Sequence, residues 1–119
     1  MRTVAAALCL LFVASSVSIA QNRRLDFELL NETGLVIMEV YVSPTDSREW
    51  GEDIMGRDVL GDGETVEIQF SRRETACEWD LRIIDEDEDE VVWTALDLCT
   101  AEHVTLQYEN GRPTARIRH

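Results

Sequence analysis

The chain has 119 residues, of which 45% are hydrophobic and 29% are charged, and its formal net charge is −13 at pH 7. This acidic balance repels nucleic acid and anionic lipid, so we expect neither nucleic acid nor a membrane surface as a partner. All the basic side chains apart from two histidines are arginines, a composition that a GC-rich genome or a salty habitat also explains without any ligand.

The first 20 residues have the organisation of a secretory signal peptide. Arg2 supplies a positive n-region, an apolar run over 4–17 follows, and Ser18 and Ala20 place small residues at the −3 and −1 positions of a cleavage site. The apolar run is too short for a membrane span. The sequence therefore predicts a signal peptide over 1–20 and a single mature domain over 21–119, which is periplasmic or secreted.

Removal of the signal peptide also changes the charge and the cysteine count. Arg2 is one of 11 arginines, so ten remain against 24 acidic residues, and the mature domain carries a formal charge of −14. Cys9 is removed as well, which leaves Cys77 and Cys99. An even pair of cysteines in a small exported domain is most simply a disulfide. The structural alternative is two buried free thiols.

The mature chain consists of short segments rich in Val, Ile, Thr and aromatic residues, separated by Gly, Asn, Asp and Pro, as is typical of strands and turns. This sequence pattern, in which no long helical segment occurs, predicts a small antiparallel β-sandwich of about seven strands. A small β-barrel is the alternative. We expect the strands at 25–29, 36–43, 65–71, 79–84, 91–96, 104–108 and 114–118.

Period-two alternation predicts which side chains share one face of a strand. In the second strand it places Val36, Met38, Val40 and Val42 on one face. In the fifth strand it aligns Val91, Trp93 and Ala95 on one face. The other face of the second strand carries Ile37, Glu39 and Tyr41, so we expect that strand to be half-buried on both sides.

The strands over 79–84 and 91–96 flank the acidic run 85–90 and are expected to form a hairpin around it. Cys77 precedes the first of these strands and Cys99 follows the second. Paired strands lie about 5 Å apart, within the reach of a disulfide. The hairpin therefore predicts a Cys77–Cys99 bridge at its open end.

The acidic run is a candidate cation site. Asp85, Asp87 and Asp89 match the D-x-D-x-D opening of a calcium loop, because hard cations prefer several carboxylate oxygens. Glu90 stands where an EF-hand has Gly, and Leu96 stands where it has the bidentate Glu. The run is not an EF-hand, which leaves two hypotheses: a weak, partly hydrated calcium site, or a solvated turn that protects a sheet edge from aggregation.

The stretch 43–62 is the longest segment without a strand pattern, and long loops in compact domains are often functional. It places Trp50 among Glu49, Glu52 and Asp53. A tryptophan among carboxylates suits a cationic or hydroxylated group, in a small ligand or a protein. The alternative is that Trp50 and its apolar neighbours cover the open end of the sandwich.

Three arginines, Arg112, Arg116 and Arg118, crowd the C-terminal hairpin, whose Asn-Gly turn is a strong hairpin signal. These side chains either pair with the acidic faces of the same molecule or support weak head-to-tail self-association.

No catalytic motif occurs in the sequence. It contains no G-x-S-x-G, no H-E-x-x-H and no glycine-rich phosphate loop, His103 lies in a strand, and His119 is terminal. We therefore predict a protein that is not an enzyme, has no cofactor and acts as a binding or interaction module. Two alternatives are a calcium-stabilised structural protein and a small exported hydrolase or lyase with paired carboxylates, which would need a carboxylate of raised pKa in a pocket.

Five short motifs occur in order along almost the whole mature chain: Asn31-x-Thr33-Gly34, Val40-Tyr41-Val42-Ser43-Pro44, Trp50-Gly51-x-Asp53-Ile54-x-Gly56-x-Asp58-x-Leu60, Cys77-x-Trp79-Asp80-Leu81 and Asp97-Leu98-Cys99. Together they resemble a family of small exported proteobacterial proteins of unknown function. Some members are labelled argininosuccinate lyase. Such lyases are long, largely helical, oligomeric enzymes with a Gly-Ser-Ser loop that is absent here, so the sequence does not support that label.

Overall fold

The structure is a computed structural model that describes residues 25–47 and 49–119. The predicted signal peptide lies outside these residues. The described part of the chain contains no helix that could span a membrane. Its strands are β1 (Phe27–Glu32), β2 (Ile37–Pro44), β3 (Thr65–Ile68), β4 (Glu78–Asp85), β5 (Glu90–Asp97), β6 (His103–Glu109) and β7 (Arg112–Arg118).

The seven strands form two open sheets, in the orders β3-β1-β6-β7 and β2-β4-β5. The predicted β-sandwich is therefore confirmed, and the barrel alternative is wrong. All neighbouring strands are antiparallel except β1 and β6, which are parallel. Parallel neighbours need a long crossover, and here the whole three-stranded sheet lies between them in the chain.

The four-stranded sheet follows the period-two pattern. Leu29 pairs with Val104, Leu106 pairs with Ala115, and the pairing registers of this sheet contain no shift. Leu29, Val104 and Leu106 are fully buried. Because nothing interrupts the alternation, the apolar residues of this sheet face the core as the sequence predicts.

The three-stranded sheet departs from the pattern at the start of β2. The pairing of β2 with β4 shifts between Ile37 and Glu39, which marks a bulge. Ile37 is fully buried, whereas Met38 is 40% exposed. The prediction that Met38 shares one face with Val40 is therefore wrong, since one extra residue resets the alternation.

A second bulge interrupts the pairing of β4 with β5. The register shifts between Trp79 and Leu81, and Ala95 has a φ of 55° and is exposed. The predicted alternation of Ala95 with Trp93 is therefore wrong, and Leu96 is buried in its place. Asp80 supports the bulge, because its Oδ1 accepts a hydrogen bond from the Ala95 N–H at 2.9 Å.

The predicted disulfide is confirmed at the open end of the β4–β5 hairpin. Cys77 and Cys99 are bonded with their Cα atoms 4.8 Å apart. Next to them, the Leu98 N–H donates to the Cys77 carbonyl at 2.8 Å. The bridge and this hydrogen bond extend the hairpin beyond the last pair of the ladder, Glu78 with Asp97.

A fully buried Asn31 organises the turn between β1 and β2. Its Nδ2 donates to the carbonyls of Leu35 at 2.8 Å and Leu60 at 3.1 Å, and its Oδ1 accepts from the Thr33 N–H at 3.0 Å. Gly34 has a φ of 83°, a left-handed conformation that favours glycine. The Asn31-x-Thr33-Gly34 motif therefore has a complete structural explanation.

Two of the three tryptophans belong to the core. Trp79 is 3% exposed and Trp93 is 4% exposed. The indole N–H of Trp79 donates to the Ala76 carbonyl, and that of Trp93 donates to the Thr114 carbonyl, each at 2.8 Å. The second bond links the two sheets, because Trp93 is in β5 and Thr114 is in β7. Trp50 is the tryptophan that lies outside this arrangement.

Candidate functional site

The loop between β2 and β3 (residues 45–64, the β2–β3 loop) runs back along the free edge of β2. The Ile54 N–H donates to the Val40 carbonyl at 2.8 Å. Further along, Ile37 and Leu60 exchange two backbone hydrogen bonds of 2.9 and 2.8 Å. An uncovered strand edge invites pairing with other chains, so this loop satisfies the backbone of β2 and protects its edge.

Trp50 lies half-buried on the outer face of the three-stranded sheet, where it takes part in a stack of three side chains. The Arg82 guanidinium lies 4.4 Å from the centroid of the Tyr41 ring and 5.0 Å from that of the Trp50 ring. Arg82 Nη1 is also 3.8 Å from Glu90 Oε2. We call Tyr41, Arg82 and Trp50 the outer stack. Its attraction is of the cation–π type, in which the ring faces attract the cation.

Strand register explains why the outer stack forms. Tyr41 of β2 pairs with Arg82 of β4, and Arg82 pairs with Val92 of β5. These residues therefore form one row across the outer face, and the β2–β3 loop brings Trp50 to it. The sequence indicates that Arg82 points outward, because it alternates with buried Leu81 and Ile83. It does not indicate the register, so sequence reasoning missed Arg82 as a partner of Trp50.

The outer stack is bordered by carboxylates. The Tyr41 hydroxyl donates to Glu39 Oε1. This hydrogen bond is the largest cause that raises the pKa of Tyr41, and burial and the negative charges of Glu39 and Asp53 add to it, while Arg82 opposes them. The Arg82 Nε is buried without a hydrogen-bond partner among the described residues. Stacking and the contact with Glu90 are therefore what hold the guanidinium.

The predicted binding residues of the loop separate into two kinds. Asp53 is half-buried, and its Oδ1 accepts hydrogen bonds from the N–H groups of Val40 at 2.9 Å and Met55 at 3.0 Å. Glu49 and Glu52 are exposed and make no hydrogen bond or ion pair within the described residues. Asp53 therefore holds the loop on β2, whereas Glu49 and Glu52 remain available to a partner.

The acidic run is more structured than a solvated tip of six carboxylates. Asp85 is the last residue of β4 and only 4% exposed. Its Oδ1 accepts hydrogen bonds from the N–H groups of Asp87 at 2.9 Å and Asp89 at 3.0 Å. Glu88 has a φ of 64° in the turn. Asp85 thus organises the turn through its side chain, as aspartate commonly does.

The same turn brings together the three residues of the calcium hypothesis. Carboxylate oxygens of Asp85, Asp87 and Asp89 lie within 4.8 Å of one another. Convergent carboxylates of this kind suit a hard cation such as calcium. Tyr108 lies close by: burial raises its pKa, and the negative charges of Asp85 and Asp89 raise it further.

The arginines of β7 lie on the outer face of the four-stranded sheet. Arg112, Arg116 and Arg118 are exposed, and cross-strand pairing sets Arg112 opposite Glu109 and Arg118 opposite His103. The structure therefore brings two of the three, Arg116 and Arg118, to one groove with His103, while Arg112 lies beyond its lining.

Comparison with known proteins shows the fold alone. No protein-family model matches the chain, and no curated protein shows significant similarity to it. The structure is similar to the NMR structure of a protein from Eubacterium rectale, with a TM-score of 0.55 over 82% of this chain and 90% of that chain. The sequence identity is 14%. The resemblance to small exported proteobacterial proteins stays a prediction.

Proposed function

We propose that this protein is an exported, non-catalytic binding module whose contact surface is the outer face of the three-stranded sheet together with the β2–β3 loop. The observation that carries the proposal is the position of Trp50. Trp79 and Trp93 fill the core, whereas Trp50 lies on the outer face against Arg82. Aromatic side chains at a partly exposed surface are typical anchors of binding sites.

The location of the protein rests on different observations. The Cys77–Cys99 bridge fits an oxidising compartment, since disulfides persist mainly in exported proteins. The apolar run that follows Arg2 fits a secretory signal peptide. Both observations support the proposal that the mature domain is periplasmic or secreted.

The charges around the outer stack favour a cationic or hydroxylated group on the partner, whether a protein or a small molecule. Glu39 accepts the hydrogen bond of the Tyr41 hydroxyl and Glu90 contacts Arg82, while Glu49 and Glu52 lie next to Trp50 in the sequence. The single cation of the stack already contacts two rings and a carboxylate. A ring face bordered by carboxylates attracts an ammonium or guanidinium group. Arg82 acts here as a positioning residue, because it holds the Trp50 ring and leaves Glu49 and Glu52 to the partner.

Partner capture from periplasmic extract tests this surface. The variant combines Glu49→Gln and Glu52→Gln and retains Asp53, whose carboxylate supports the loop. We expect the captured partners to decrease at least about tenfold, which corresponds to about 1.4 kcal/mol of binding free energy. The matched control combines Glu86→Gln and Glu88→Gln, which removes the same charge from the exposed hairpin turn. Equal capture by the wild type and the first variant would exclude the loop as the contact surface.

A second candidate function, a calcium-stabilised structural protein, is favoured by one observation: the convergent carboxylates of Asp85, Asp87 and Asp89. If calcium binds there, the melting temperature rises more in millimolar calcium chloride than in sodium chloride of equal ionic strength. Calcium would also lower the pKa of Tyr108 by neutralising Asp85 and Asp89. The combined change Asp87→Asn and Asp89→Asn should remove both effects, and their absence in the wild type would exclude the site.

A further inference from the structure

The outer face of the four-stranded sheet carries a groove of about 260 Å³ that no part of the proposed binding surface touches. Its lining comes from β1, β6 and β7, and consists of Glu28, Leu30, Glu32, His103, Thr105, Arg116 and Arg118. Every one of these side chains is polar or charged except Leu30. The groove is therefore a polar cleft with a single apolar contact.

Strand register divides the charges of the groove into two banks. Across β1, β6 and β7, one row runs Glu28, His103, Arg118, and the next runs Leu30, Thr105, Arg116. Glutamates therefore lie on the β1 bank and arginines on the β7 bank. Two strand spacings separate the banks, about 10 Å between backbones.

The arginine bank has no carboxylate of its own. Among the described residues, Arg116 and Arg118 form no ion pair, although the chain has 24 acidic residues and 11 arginines. Arg82 on the opposite sheet differs, because it contacts Glu90. Two guanidinium groups two residues apart point to the same face of a strand and together can hold an anionic oxygen group with charge-assisted hydrogen bonds.

The glutamate bank rules out a simple anion as the preferred ligand. Glu28 Oε1 lies 3.6 Å from His103 Nδ1, and Glu32 Oε2 accepts a hydrogen bond from Gln107 Nε2 at 3.1 Å. These negative charges repel an anion that approaches the arginines, and they attract a cation.

We infer that this groove binds a small extended zwitterion. Its carboxylate lies on Arg116 and Arg118, and its methylene chain crosses β6 at Thr105. Its ammonium group lies towards Glu28 and Glu32, which flank Leu30 on β1. Because the banks are about 10 Å apart, the two ligand charges must be separated by several carbon atoms. An α-amino acid backbone, with adjacent charges, is too short to satisfy both banks.

Three probes of equal chain length test the inference: ε-aminocaproate carries both charges, caproate only the negative one and hexylamine only the positive one. In an NMR titration of the mature domain predicted over 21–119, we expect saturable shifts at His103, Thr105, Arg116 and Arg118 with ε-aminocaproate. Affinity for either singly charged probe should be at least about tenfold weaker. Equal affinity for caproate, or no saturable shift with ε-aminocaproate, would overturn the inference.

Variants separate the groove from general charge attraction. The double change Arg116→Gln and Arg118→Gln should weaken ε-aminocaproate binding at least about tenfold. The control Arg72→Gln with Arg73→Gln removes the same charge from an exposed loop and should leave the affinity unchanged. An equal loss in both would contradict a built site. Glu28→Gln with Glu32→Gln should abolish the preference for ε-aminocaproate over caproate, and a retained preference would refute the two-bank arrangement. These results are independent of the partner capture on the other sheet.

Discussion

The two sheets of the sandwich differ in regularity, and the difference follows from what each one supports. The four-stranded sheet pairs without a register shift, and its apolar residues alternate as expected. The three-stranded sheet has two shifts, one next to the covered edge of β2 and one where Asp80 supports Ala95. Bulges re-aim side chains and often adjoin functional surfaces. The irregular sheet is also the one that carries the outer stack.

The two outer faces use arginine in different ways. On the three-stranded sheet, Arg82 is stacked between Tyr41 and Trp50 and contacts Glu90. On the four-stranded sheet, Arg116 and Arg118 are exposed and form no ion pair within the described residues. An arginine that contacts a carboxylate of the same molecule positions its neighbours. An arginine without such a contact is available to a ligand. The predictions that follow test what holds the two sheets and the outer stack in place.

The largest effect is expected from removal of the disulfide. Replacing Cys77 and Cys99 together with Ser should lower the free energy of unfolding by about 3 kcal/mol, because the loop they close gains entropy in the unfolded state. Urea denaturation measures this loss. Hydrogen exchange should show that protection falls first in β4 and β5, since the bridge closes that hairpin. Equal loss of protection in β1 and β6 would contradict separate local stability of the two sheets.

Asn31→Ala should lower the free energy of unfolding by about 2 kcal/mol, because it removes the donor to the Leu35 carbonyl, one of the two donors to the Leu60 carbonyl and the acceptor of the Thr33 N–H. Chemical denaturation of the variant measures the effect. The control is Asn110→Gly in the β6–β7 turn, where the φ of 54° suits glycine, and its effect should stay within about 0.5 kcal/mol. Similar losses in both variants would show that Asn31 contributes no more than an ordinary turn residue.

Arg82→Gln should release Trp50 from the outer stack while costing only about 1 kcal/mol of stability, since the lost attraction is a partly exposed cation–π contact. The indole N–H resonance of Trp50 should shift and broaden, and those of Trp79 and Trp93 should not. Arg57→Gln, in the exposed part of the same loop, is the matched control. An unchanged Trp50 resonance in the Arg82 variant would mean that the loop alone positions the ring.

The smallest effect is expected at alkaline pH. Both tyrosines have a pKa raised above the usual value of 10.0 in the folded protein, Tyr41 mainly through Glu39 and Tyr108 mainly through burial. A raised folded pKa contributes stability that is complete below pH 10 and is lost as the pH rises through the folded pKa. Ultraviolet titration of Tyr41→Phe and Tyr108→Phe follows one tyrosine at a time. A titration midpoint at or below pH 10 for either tyrosine would show that the folded protein does not raise its pKa.

Arg82→Gln also sharpens the last test. The positive charge of Arg82 opposes the other influences on Tyr41. Its removal should therefore raise the pKa of Tyr41 further and leave that of Tyr108 unchanged. A shift in both tyrosines would indicate a global change of the fold rather than loss of the outer stack.

Much of the fold can be predicted from local sequence patterns. The seven strands, the hairpin around the acidic run and the Cys77–Cys99 bridge follow from alternation, turn residues and the spacing of the cysteines. The bulges at Ile37 and Ala95 could not be predicted in this way. An extra residue in a strand cannot be recognised from the apolar pattern until the partner strand is known. The burial of Asp85 cannot be predicted locally either, because it depends on what packs over the end of β4.

The sequence by itself determined the composition of the candidate sites: an acidic loop with a tryptophan, three aspartates at alternate positions and arginines on the last strand. Only the tertiary structure decided which of these residues meet. Arg82 reaches Tyr41 and Trp50 through the register of β2 with β4. Glu28 and Arg118 lie in one row, on either side of His103, through the pairing of β1 with β6 and of β6 with β7. Register is set by packing between strands distant in the chain, so it cannot be derived from either strand alone.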